Sequence, residues 1–101
     1  MKVLKNNIIQ IDDKLSVQVL EDHLYKDAMK KYSNLNDFHI PSPEEGHYIA
    51  DNYYMTFGPG VSYLTTESPD DKSVTTIDLG LTLFLIEDIN EKHPTILIKF
   101  F

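Results

Sequence analysis

Residues 41–60 read PSPEEGHYIADNYYMTFGPG, and the architecture expected of the whole chain turns on how they are parsed. Two prolines and a glycine within Pro41-Ser42-Pro43-Glu44-Glu45-Gly46 read as a loop, because such residues interrupt regular structure. The following run, 47–57, is rich in Tyr and Ile and reads as a strand ended by Gly58-Pro59-Gly60. Two-residue alternation along it assigns Ile49, Tyr53, Met55 and Phe57 to the core. Tyr48, Asn52 and Tyr54 then point outward. Residues 61–66 follow as a second strand, so the pair reads as a hairpin.

Upstream of this stretch the period changes. Leu20, Leu24, Ala28 and Tyr32 recur four apart, with Tyr25 and Met29 beside them, which predicts a helix over 20–33. Glu21, Asp22 and Asp27 sit toward its start and Lys30 and Lys31 toward its end, as the helix dipole favours. Asn34 and Asn36 are suitable terminators. Earlier still, 7–11 and 14–19 read as a hairpin around Asp12-Asp13. A helix beginning at Asp13 competes for 14–19, since Leu15, Val19 and Leu20 fit a helical stripe. The β-branched Val17 and Val19 favour the strand.

Downstream, 67–72 is a polar loop containing Ser68-Pro69-Asp70-Asp71. Residues 73–79 and 81–86 flank Gly80 and read as one long strand bent there. The run 81–86 is apolar on both faces, which places it in mid-sheet under the helix. After a turn at 88–94, residues 95–101 form a last strand, tucked inside so that Phe100 and Phe101 complete the core. The expectation is a single α+β domain, 1–101, with an antiparallel sheet of five or six strands and one principal helix packed on one face.

Composition narrows the function. The 101 residues carry a net charge of −7 and include no cysteine. Disulfides and thiolate metal sites are therefore excluded, and with no signal-peptide pattern after Met1-Lys2 the expected location is the cytoplasm. The longest apolar run, 79–86, is far below the ~20 residues of a membrane helix. Acidity is concentrated: 1–35 hold six lysines against five acids, and 36–101 three lysines against eleven acids. Every basic residue is Lys. Without arginine, and with this sign of charge, nucleic acid is an unsuitable partner.

Motifs for chemistry are sparse. His23, His39, His47 and His93 are scattered, and His23 with Asp27 provides two metal ligands at most. Neither Asp70-Asp71 nor Glu44-Glu45-Gly46 has the alternation of a calcium loop. There is no nucleophile elbow, and Pro59 removes an amide that a phosphate-binding loop would use. No cofactor, metal or catalytic residue is expected. The concentration of Tyr48, Tyr53, Tyr54 and Tyr63 beside acids stands out instead, because tyrosine anchors protein interfaces and carboxylates attract basic partners. Glu44, Glu45, Tyr48, Asp51, Tyr54, Asp70 and Asp71 are the candidate partner-binding residues. The expected function is a small acidic binding protein, of the immunity type that neutralises a basic, nuclease-like bacterial toxin by covering its active site. The alternatives are an accessory module that forms a homodimer through a sheet edge and a phage-type inhibitor of a host enzyme.

Overall fold

The structure, a computed structural model, describes residues 2–4 and 7–101. Met1, Lys5 and Asn6, which belong to the N-terminal signal-peptide reading, lie outside the described residues. The elements in order are β1 (Lys2–Val3), β2 (Ile8–Gln10), β3 (Leu15–His23), α1 (Tyr25–Lys31), α2 (Pro43–Tyr53), β4 (Ser62–Leu64), β5 (Ser73–Asp78), β6 (Leu83–Asp88) and β7 (His93–Phe100). Strands pair antiparallel in two sheets, β1-β2-β3-β7 and β4-β5-β6. The class is α+β as expected. The single sheet of five or six strands with one helix is corrected, among the described residues, to sheets of four and three strands with two helices.

The β2–β3 hairpin forms where the sequence places it. Asp12 shapes the turn, its Oδ1 accepting the amides of Lys14 (2.8 Å) and Leu15 (2.9 Å). Residues 15–19 are thus strand and not helix, with Lys14 in the turn, but β3 runs on to His23 with a register shift between Leu20 and His23. The predicted helix shortens to Tyr25–Lys31. Pairing with the long β7 claims Leu20, which helical periodicity had assigned to α1.

The largest correction falls on 41–57. The segment is helix α2, and its apparent breakers start it. Ser42 is the N-cap and accepts from the Glu45 amide (3.1 Å), while the Glu45 side chain accepts from the Ser42 amide (3.0 Å). This is a capping box, and Pro43 occupies the first turn, where its missing N–H costs nothing. Gly46 lies on the buried face, and a Cβ there would meet Ile77 Cδ1 at 3.1 Å, so the glycine lets α2 approach β5. The hairpin of 47–57 with 61–66 therefore does not form, and β4 pairs with β5 instead.

Two clusters fill the interior. Leu15, Val17, Ile96 and Ile98 of the first sheet pack with Ile77 of the second and with Ile49 and Ala50 of α2. Ala28 of α1 joins Ile40, Leu64, Val74, Ile89 and Leu97. Alternation along β7 sends Ile96 and Ile98 to the first cluster and Leu97 to the second, so this strand separates them. Its free side is bridged at one point, His39 with Ile98. The terminal aromatics do not complete the core: Phe100 and Phe101 are 37% and 68% exposed.

Gly80 does not bend one long strand. Residues 73–88 form a hairpin, Asp78 opposite Leu83, with Gly80 in the turn. A Cβ on Gly80 would lie 2.6 Å from the Phe57 carbonyl oxygen, so only glycine fits where the turn meets that loop. The buried Asp78 carboxylate accepts from Gly60 N (2.8 Å), Gly80 N (3.0 Å) and Leu81 N (3.2 Å), tying the two loops together. As a result 81–86 is not in mid-sheet. It supplies the edge strand β6, exposed over most of its length.

Candidate functional site

The capped helix determines which side chains meet. Gly46, Ile49 and Ala50 face the core. Glu44, Tyr48 and Asp51, at i, i+4 and i+7, lie together on the exposed face. Of the seven expected partner-binding residues these three are brought together, by helical spacing and not by the strand expected. Tyr54 is the C-cap of the helix and is 56% exposed, near the far end of the same surface.

Tyr48 is the centre of the face. It is 50% exposed, and its ring meets Phe100 edge to face with centroids 5.7 Å apart. The contact carries the α2 surface onto the end of β7. There Lys99 Nζ lies 5.5 Å from the Phe101 ring centroid and 5.9 Å from that of Phe38, within cation–π range. His47 Nδ1 and Asp51 Oδ2 form an exposed i,i+4 pair at 3.3 Å. The resulting surface is acidic and aromatic, with one imidazole against Asp51.

The other candidates separate from it. Glu45 turns inward, its Oε2 2.9 Å from Nε2 of the buried His39, whose Nδ1 lies 2.8 Å from the Asp37 carbonyl. Glu45 is thus engaged in holding the helix start against 37–39. Asp70 closes its own loop, accepting from the Lys72 amide (2.8 Å) while its carbonyl accepts from Ser68 Oγ (2.6 Å). Asp71 is exposed in the same loop, and no hydrogen bond or ion pair among the described residues joins either acid to α2.

His47 and Phe100, and beyond them Lys99, Phe38 and Phe101, belong to this surface and are not among the residues expected from sequence. Recognising Ser42-x-x-Glu45 with Pro43 as a helix start would have placed His47 beside Asp51. Nothing in the sequence signals the contact of Tyr48 with Phe100, which is made across 52 positions.

At the other end of α2, Tyr53 donates to Asp12 Oδ2 at 2.8 Å. That hydrogen bond, with burial and the carboxylate charge, pushes the phenol up to about 12. Asp12 is held below its ordinary value by the Lys14 amide first and by the Tyr53 hydroxyl second. Burial raises Tyr25, which donates to the Thr66 carbonyl (2.8 Å), and burial with the Asp78 charge raises Tyr63. These four groups brace the fold at the β2–β3 turn, between α1 and the end of β4, and on β4.

Among the described residues no group of three or more His, Asp or Glu side chains is placed to hold a metal ion. His23 lies on β3 and Asp27 on α1, so they do not share a helical turn. Among the described residues no helix is long and apolar enough to cross a membrane. In comparison with known proteins, the sequence matches no protein family and no curated relative.

Proposed function

We propose that this chain is a binding protein that uses the exposed face of α2 to hold a basic protein, as an immunity-type inhibitor holds a nuclease-like toxin. The supporting observation is the shared exposed face of Glu44, Tyr48 and Asp51, with the Tyr48 ring braced by Phe100. A braced tyrosine loses little further freedom on binding and still offers apolar area and a hydroxyl. Carboxylates one turn to either side attract lysine or arginine side chains of the partner and steer its approach. Tyr54 extends the contact, and the Asp70-Asp71 loop contributes to the attractive field.

The test is calorimetric titration against the product of the adjacent gene, at low and at high salt. Tight one-to-one binding that weakens with salt is expected. Glu44→Lys with Asp51→Lys should reduce affinity at least about 30-fold, as for two charge pairs of roughly 1 kcal/mol each. Asp70→Lys with Asp71→Lys should act mainly on the association rate. Unchanged affinity in the α2 double variant removes this face from the binding site.

A further inference from the structure

The outer edge of the second sheet carries a surface unconnected with α2's acidic face. β6 pairs with β5 in unbroken register from Ser73↔Asp88 to Asp78↔Leu83. Among the described residues no other strand pairs with its far side, which is engaged at its end, where the Asp88 carbonyl lies 3.3 Å from the Glu91 amide and 2.7 Å from His93 Nε2. Four consecutive residues of this edge are apolar and exposed: Leu83 47%, Phe84 38%, Leu85 37% and Ile86 62%. The preceding Leu81 is 58% exposed. Folded proteins protect such edges with a lysine, a proline, a bulge or a covering loop, because a row of unpaired amides and carbonyls recruits another strand. The Leu83–Ile86 run has no charged residue or proline, and its ladder has no bulge.

We propose that this edge binds a second copy of the chain, β6 against β6 in antiparallel sense, to give a continuous six-stranded sheet across a two-fold axis. The distribution of charge selects both the occupant and the direction. The acids of β6, Glu87 and Asp88, lie only at its C-terminal end. A two-fold axis at Leu85 sets Leu85 opposite Leu85, Phe84 opposite Ile86 and Glu87 opposite Leu83. The acids of the two copies then lie at opposite ends of the ladder. Parallel pairing would set Glu87 beside Glu87, and like charges directly opposite are unfavourable. The uncharged run offers nothing to a charged partner, while its sequence is complementary to its own reverse. Such an isologous contact uses both copies of the edge and closes.

The area fits a reversible association. The exposed parts of the five side chains amount to roughly 400 Å² per copy, about half the ~800 Å² of a standard interface, before the backbone ladder is added. This contact does not depend on the partner-binding reading of α2, and the two differ in their response to salt. Two copies of charge −7 repel, so screening strengthens self-association.

Sedimentation equilibrium of the full chain, from low-micromolar to near-millimolar concentration at low and high salt, tests the proposal. A monomer–dimer equilibrium that tightens with salt is expected. Ile86→Lys and Leu83→Lys, at positions exposed enough to leave folding intact by circular dichroism, should each weaken it at least about tenfold. Hydrogen exchange of β6 amides should slow with concentration in the unmodified chain and not in these variants. A monomer throughout, open-ended oligomers, or a dimer that neither lysine weakens would overturn the proposal. So would a monomer that takes up an extended foreign peptide along β6, since the edge would then serve a different strand.

Discussion

The Asp12–Tyr53 bond joins the β2–β3 turn to the end of α2, and its stability contribution is limited at both pH extremes. Tyr53 is raised from an ordinary 10.0 to about 12, so the fold disfavours its ionisation. Its contribution is present in full below pH 10 and is lost as pH rises through about 12. Asp12 is lowered from 3.8, so its contribution is present above that value and is lost as pH falls through the folded one. Asp12→Asn keeps an oxygen for the Lys14 and Leu15 amides and removes the charge facing the phenol. Ultraviolet titration of the tyrosines should then show Tyr53 ionising closer to 10.0. The urea midpoint of this variant should fall below that of the unmodified chain at neutral pH and converge with it in strong acid. An unchanged Tyr53 titration would mean that burial, the second cause, outweighs the hydrogen bond.

At the scale of elements, α2 depends on Glu45, whose two oxygens hold different segments: Oε1 the Ser42 amide and Oε2 the His39 ring. Glu45→Ala removes half the capping box and leaves the buried imidazole without its carboxylate. The expected loss is about 2–3 kcal/mol in urea unfolding, a cap plus one charge-assisted hydrogen bond. Glu45→Gln should recover part of it, because the amide oxygen can still accept from Ser42. The same element shows how far the sequence was legible. Ile49, Tyr53 and Phe57 recur every four residues, a spacing that both a strand and a helix place on one face. Their inward orientation was therefore read correctly from the wrong period. Met55 fits only the strand, and it is 86% exposed. The deciding signals were Ser42, Pro43 and Glu45, where a proline at the first helical position resembles a loop residue unless the capping pair is recognised. The β2–β3 hairpin was legible because Asp12 and the β-branched valines act locally. The shortening of α1 was not, because the β7 residues that claim Leu20 lie more than 70 positions away. The four-residue run Leu83–Ile86 resembles a buried strand by composition, and only the hairpin turn at Gly80 makes it an edge.

Across the whole molecule, the charge of −7 acts on the two proposed surfaces in opposite directions, which makes ionic strength a single variable that separates them. Binding of a cationic protein to the Glu44–Tyr48–Asp51 face gains from the long-range field, and the Debye length shrinks from about 30 Å at 0.01 M salt to about 10 Å at 0.1 M. Its association rate should fall by an order of magnitude or more over that interval, while dissociation, governed by the apolar area that Tyr48 buries against the partner, changes little. Pairing of two β6 edges is opposed by the same field and should strengthen over the same interval. Stopped-flow association with the basic partner and sedimentation of the chain alone, both across one salt series, provide the two slopes. Slopes of opposite sign assign the two events to separate surfaces. If both weaken with salt, the self-association is itself driven by opposite charges, such as lysines of the N-terminal third meeting the acidic remainder, and the apolar β6 edge is not its site. If partner binding strengthens with salt, the acidic face does not steer it, and the contact must be sought among the exposed aromatics instead.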